Sequence, residues 1–167
     1  MDKTSMQIME EFINRLDKTA PLKIIDVGSR IELEQPECYR QLMISEKWTY
    51  QGLDLKAGSN VDIISDDPFN YPITDNEYDV IISGQCIEHV TNLAVWMKEL
   101  YRILKPGGRI CIIGPSAGGI HRHPVDCWRV LPDGMRFLFE NEGFINIDVQ
   151  RSGVGPWYPC IGTAKKP

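Results

Sequence analysis

The chain has 167 residues, 43% of them apolar, enough to bury one sizeable core in one domain. Its net charge of −5 and sequence pI near 5.2 supply no basic face that would displace counterions from a phosphate backbone. No nucleic-acid partner is therefore expected, and a small-molecule or protein substrate is favoured.

Five cysteines (Cys38, Cys86, Cys111, Cys127 and Cys160) are odd in number and lack the two-residue spacing of zinc knuckles or dithiol redox sites. Reduced thiols in the cytoplasm are the expectation. The first residues show neither the apolar region of a signal peptide nor a spanning segment, so no membrane association is expected.

Residues 4–18 repeat Met6, Met9, Phe12, Ile13 and Leu16 at helical spacing, which predicts an amphipathic helix ended by Pro21. A β-branched run over 22–27, closed by Gly28, reads as a buried parallel strand. A helix over 37–45 and a second strand over 48–54 follow. Past the turn at 57–60 come a third strand over 61–64 and a fourth over 78–83, with Pro68 and Pro72 imposing irregular chain between them. Residues 92–104 form the clearest helix, and 105–108 turn it into a fifth strand over 109–113. Residues 114–132, rich in Gly, Pro, His and Trp, read as a long loop. A helix over 132–141, a sixth strand over 144–150 and a last, antiparallel strand over 160–164 complete the chain.

This alternation specifies an α/β fold: a doubly wound, mostly parallel, Rossmann-like sheet of about seven strands with its last strand antiparallel. Ligands of such sheets bind at the carboxyl ends of the strands. Three strand-end loops carry suitable chemistry. Gly28 allows a tight turn and close approach of a ligand to main-chain N–H groups, and Asp26 beside it could face a cation. Asp54 ends the second strand, where a carboxylate can accept from both hydroxyls of a ribose, or simply cap a turn. Asp66 and Asp67 could accept from an adenine amino group, or form a solvated acidic turn.

The run Tyr78-Asp79-Val80-Ile81-Ile82-Ser83-Gly84-Gln85-Cys86-Ile87-Glu88-His89-Val90, with Leu104-Lys105-Pro106-Gly107-Gly108-Arg109 downstream, resembles class I S-adenosylmethionine-dependent methyltransferases, closest to the type 11 small-molecule group. Asp26-Val27-Gly28-Ser29 resembles their first motif and Gly52-Leu53-Asp54-Leu55 their ribose-binding strand end, so the resemblance spans 22–114. It implies S-adenosyl-L-methionine as cofactor, with Gly28 and Ser29 beside its methionine end and Asp26 meeting its ammonium group. It further implies Asp54 and Leu55 at the ribose, Asp66 or Asp67 at the adenine, and Gln85 along the methionine portion. Glu88 and His89 open the next segment, where they shape the site or act in the chemistry. On this reading 1–20 is an N-terminal helix, 21–114 the cofactor-binding half and 115–167 the substrate-side loop with the C-terminal strands. The first motif departs from the family, because Arg30 and Glu32 stand where further glycines are usual.

The loop after the fifth strand should overhang the reactive methyl, and its His121 and His123 are the catalytic candidates as general bases toward an acceptor hydroxyl. No established zinc spacing fits His121, His123, Asp126 and Cys127, so no metal is expected. The N-terminal helix, the late loop or a second subunit in a homodimer must close the site. The competing functions are a non-catalytic module that retains the fold, and a nucleotide-dependent oxidoreductase, against which the sparse glycines count.

Overall fold

The computed structural model describes residues 3–31 and 37–167. Its strands are β1 (Leu22–Val27), β2 (Trp48–Asp54), β3 (Ile63–Ile64), β4 (Tyr78–Gly84), β5 (Leu104–Gly114), β6 (Ile145–Arg151) and β7 (Cys160–Lys165). Among the described residues these form one seven-stranded sheet in the order β3-β2-β1-β4-β5-β7-β6. Pairing is parallel from β3 through β5, and β7 runs antiparallel to both β5 and β6.

Successive strand residues point to opposite faces, so a strand apolar throughout must be covered on both sides. One face sets Ile24, Val80, Ile82 and Ile113 against Met9, Phe12 and Ile13 of α1 (Lys3–Asn14). The other sets Ile25, Ile81, Ile110 and Ile112 against Trp96, Met97 and Leu100 of α2 (Leu93–Ile103) and Met135 and Phe139 of α3 (Pro132–Asn141). The sheet is doubly wound as expected. Among the described residues no helix is long and apolar enough to cross a membrane, and all five cysteines are free thiols.

Three local expectations need correction. The helix expected over 37–45 is a single 3₁₀ turn, Tyr39–Leu42, because Met43 returns to extended backbone. The third strand keeps only Ile63 and Ile64, since Asp62 is drawn off to accept from the Gly52 amide at 2.8 Å. The fifth strand begins at Leu104, and the turn expected over 105–108 is an excursion inside it. Tyr78 faces Leu104 while Val80 already faces Arg109. Gly107, at φ +80°, permits that excursion, and its amide donates to Lys166 O at 3.0 Å.

No helix covers the crossover from β3 to β4; an irregular segment does so and is clamped from α2. Glu99 is buried and accepts the Tyr71 amide at 2.6 Å. Arg102 forks onto Glu99 at 2.8 and 2.7 Å and also donates to Ile73 O and Asp75, each at 2.7 Å. Removing the guanidinium would strand a buried carboxylate. Arg102→Ala should therefore cost about 3 kcal/mol, read as a lower urea midpoint at unchanged slope.

At the end of β1, Asp26 is 2% exposed and accepts the Tyr50 hydroxyl at 2.6 Å, while that hydroxyl accepts the Asn60 amide at 3.0 Å. Burial pushes the Asp26 carboxyl from 3.8 up to about 7, against the opposing pull of the Tyr50 hydrogen bond. Between those two values the folded protein keeps a proton that the unfolded chain has lost, so Asp26 makes stability fall as pH rises across that window and adds no slope above it. Its contribution amounts to at most about 1.4 kcal/mol per pH unit. Asp26→Asn should flatten this decline in urea unfolding compared at successive pH values, and a parent and variant with the same pH profile would refute the assignment.

Candidate functional site at the carboxyl edge of the sheet

Register brings the acidic groups of the second and third strands together. Asp54 is paired with Ile64, and the Ser65 amide donates to Asp54 O at 3.0 Å, so the chain carrying Asp66 emerges beside the end of β2. The Asp54 carboxylate, 19% exposed, accepts the Arg30 and Lys56 amides at 3.2 Å each. Arg30 Nε lies 3.8 Å from it. Thus Arg30, the residue that departs from the family's glycine pattern, leans on the carboxylate assigned to the ribose. Leu55 is exposed just beyond. Asp67 uses one oxygen to accept the Phe69 amide at 2.8 Å. Asp66 is exposed, and its carboxylate has no hydrogen-bond or ion-pair partner among the described residues.

The turn after β1 is tight. Gly28 has φ +81°, and a β-carbon there would sit 2.6 Å from Cys86 Sγ. Glycine is required on both counts. The Gly28 and Ser29 amides both donate to Leu53 O, at 2.9 and 3.1 Å, and Ser29 Oγ donates to Asn60 O at 3.0 Å. Asp26 lies behind this turn, engaged by Tyr50. Gln85, at the end of β4, takes φ +56°, unusual for a residue with a side chain. Its side-chain amide donates to Ser5 Oγ of α1 at 2.9 Å, so the first turns of that helix reach the edge of the site. Burial pushes the neighbouring Cys86 thiol up to about 12, leaving it un-ionised.

The late loop is ordered by one ion pair. Arg129 grips both oxygens of Asp126 at 2.7 and 2.8 Å, and Asp126 accepts the His121 amide at 2.6 Å. These donors hold the Asp126 carboxyl far below the usual range. The Cys127 amide and the Trp128 indole, each at 2.7 Å, tie the loop to Glu88 O and Val90 O. The fold thus lays the loop over the short turn Ile87–His89 that follows β4.

All three histidines of the chain meet there. The His121 ring lies 5.0 Å from His89 and 5.2 Å from His123, edge to face in both cases. Burial holds the His89 and His121 imidazoles below their ordinary value, so both are neutral at neutral pH. His123 is exposed. The sequence pointed to the two loop histidines, but the grouping with Glu88 and His89 comes from chain segments more than thirty residues apart. The adjacency of Glu88 and His89 to a strand end was the available signal.

A cofactor that presents a ribose diol, an adenine amino group and a cationic tail requires carboxylate acceptors beside a close backbone turn. Asp54, the unpartnered Asp66 and the glycine turn at 28 fit S-adenosylmethionine. The Gly28 and Ser29 amides do not add anion-binding donors, because Leu53 O already takes both.

The comparisons agree with this geometry. A family model described as "Methyltransferase domain" matches residues 39–112. The chain is 31% identical over 107 residues to 2-methyl-6-phytyl-1,4-hydroquinone methyltransferase 1, chloroplastic, of Oryza sativa subsp. japonica, covering 61% of this chain and 32% of the relative. To the second rice protein of that name it is 27% identical over 150 residues, covering 82% of this chain and 42% of the relative. The chain therefore spans less than half the length of these relatives. Among solved structures, the Burkholderia thailandensis 1,6-didemethyltoxoflavin-N1-methyltransferase with bound 1,6-didemethyltoxoflavin and S-adenosylhomocysteine superposes with TM-score 0.74 at 16% identity, over 99% of this chain and 79% of that one. Haemonchus contortus phosphoethanolamine N-methyltransferase 2 in complex with S-adenosyl-L-methionine gives 0.71 at 15% identity, over 98% and 52%. At these identities the structural likeness bears on the fold. The chain thus has the fold of these methyltransferase structures, and its residues 39–112 match the methyltransferase-domain model.

Proposed function

We propose that the protein transfers a methyl group from S-adenosylmethionine to a small molecule, at an oxygen atom. The observation that supports this reading is the pairing of Asp54 with Ile64, which brings the chain carrying Asp66 to the end of the strand that carries Asp54. The small-molecule acceptor is supported by the names of the quinol and toxoflavin methyltransferases to which the chain is similar.

The bound cofactor supplies an electrophilic methyl on a sulfonium. The chain's own residues then have three tasks. Asp54 accepts from the ribose hydroxyls after Arg30 yields, with Leu55 as its apolar flank, and Asp66 or Asp67 accepts from the adenine amino group, Asp66 having both oxygens open. Gly28, Ser29 and Gln85 bound the methionine end, with Asp26 behind the turn. The late loop and the first turns of α1 exclude water and hold the acceptor in line, which is most of what such a displacement needs. Of the two loop histidines, His121 is half-buried beside Glu88, while His123 is exposed and its ring carries no hydrogen bond among the described residues. His123 is the better placed to take a proton from an incoming hydroxyl.

Calorimetry with S-adenosylmethionine, S-adenosylhomocysteine and NAD, followed by a methyl-transfer assay on a panel of phenols, quinols and aliphatic alcohols, tests the proposal. Binding of the sulfonium cofactor and turnover on a hydroxyl acceptor are expected. Binding of NAD alone would indicate an oxidoreductase, and tight cofactor binding without turnover on any acceptor a non-catalytic module. Asp54→Ala should weaken S-adenosylmethionine binding by about 1–3 kcal/mol through loss of charge-assisted hydrogen bonds; unchanged affinity would show that the ribose lies elsewhere.

A further inference from the structure

Glu88 is the most anomalous side chain in the molecule. It is wholly buried, and neither carboxylate oxygen has a hydrogen-bond partner among the described residues. A carboxylate in that condition is costly unless something completes it. Arg129, whose charge acts on it, directs both terminal nitrogens to Asp126, Trp128 O and Gly119 O instead, and its buried Nε has no hydrogen-bond partner among the described residues. What Glu88 does face is a pair of imidazole nitrogens: Oε1 lies 3.7 Å from His89 Nε2 and 3.7 Å from His121 Nε2. One donor atom from each of the three residues falls within 4.8 Å of the others.

The supporting contacts are those a metal centre uses. His89 Nδ1 is 2.6 Å from Val125 O. With the proton on Nδ1, that carbonyl accepts it, fixes the ring and turns the Nε2 lone pair toward Glu88. His121 is held through its own amide by Asp126 and packs edge-on against Trp157, with ring centroids 5.0 Å apart. Ligand atoms on a tetrahedral zinc stand about 3.3 Å apart, so the two 3.7 Å carboxylate–imidazole distances would shorten by about 0.4 Å, and the widest of the three separations, at most 4.8 Å, by no more than about 1.5 Å.

We propose that Glu88, His89 and His121 bind one divalent transition-metal ion, with zinc the ion their two imidazoles and one carboxylate suit best. Three protein ligands would leave a coordination position open. The metal site stands on its own geometry; its use, to bind an acceptor oxygen and make its hydroxyl more acidic, rests on the methyltransferase reading. The spacing of the late-loop residues alone predicts no metal, and Glu88 and His89 lie outside that loop.

The test uses the full chain, stripped with chelator and titrated with Zn2+ by calorimetry and with Co2+ by visible absorption. One ion per chain, a ligand-field spectrum of an N/O site and a rise in melting temperature with added Zn2+ are expected. The near-isosteric Glu88→Gln removes no hydrogen bond and should bind Zn2+ at least about tenfold more weakly, as should His121→Ala. Cys127→Ser, which removes the exposed thiol of the same loop, should leave stoichiometry and affinity unchanged. Failure of the parent protein to bind Zn2+ or Co2+ would overturn the site. So would affinity unaltered in Glu88→Gln, or lost only with the exposed His123→Ala. Titration of each variant with S-adenosylmethionine reports folding and cofactor binding separately, so a failed metal site is distinguishable from a failed methyltransferase assignment.

Discussion

Parallel pairing of β1 with β2 on one side and β4 on the other is the constraint from which the rest of the molecule follows. The centre of β1, Ile24–Asp26, is paired on both sides, and the strand is buried from Ile24 to Val27. The chain leaving Val27 therefore has to turn at once, which only a residue free to take positive φ permits while Cys86 presses against it. The same pairing fixes the heights of Asp54, Ser65 and Gln85 along the carboxyl edge, because each ends or follows a strand whose register is already set. The acidic edge is thus a consequence of sheet geometry, and its side chains need little further positioning.

The two faces of the sheet are stabilised differently. On the α2 side, hydrophobic packing is reinforced by the Glu99 and Arg102 clamp, which fastens a crossover that has no helix of its own. On the α1 side, α1 together with Tyr39 of the 3₁₀ turn covers β1, β4 and β5, and the beginning of the helix reaches Ser5 to Gln85. That contact couples the packing of the helix to the edge of the site. Closure by the N-terminal segment is therefore compatible with its structural role, since the face that packs on the sheet is distinct from the end that meets Gln85.

Buried acids mark both ends of this arrangement. Asp26 is satisfied by Tyr50 and is kept protonated by its surroundings to about neutral pH. Glu88 is pushed by burial to a similar value of about 7, yet no hydrogen bond among the described residues completes it. The contrast is informative: two carboxyls with similar desolvation differ in whether the fold supplies a donor. The late loop, held by Asp126 and Arg129, brings the His121 imidazole to Glu88, beside that of His89.

The residue pattern by itself determined the strand order class, the helix over 92–104 and the helix over 132–141, because burial on two faces writes apolar runs and helical spacing directly into a sequence. It also placed Asp54 and the glycine at 28 at strand ends, where loop chemistry follows from topology. Only the tertiary structure decided that residues 39–42 make a bare 3₁₀ turn, that Arg30 rests on Asp54, that Asp26 is engaged by Tyr50, and that Glu88 and His89 share a cluster with His121. These depend on contacts between segments far apart in the chain, and distance along a sequence carries no record of which side chains the folded backbone brings within a few ångströms.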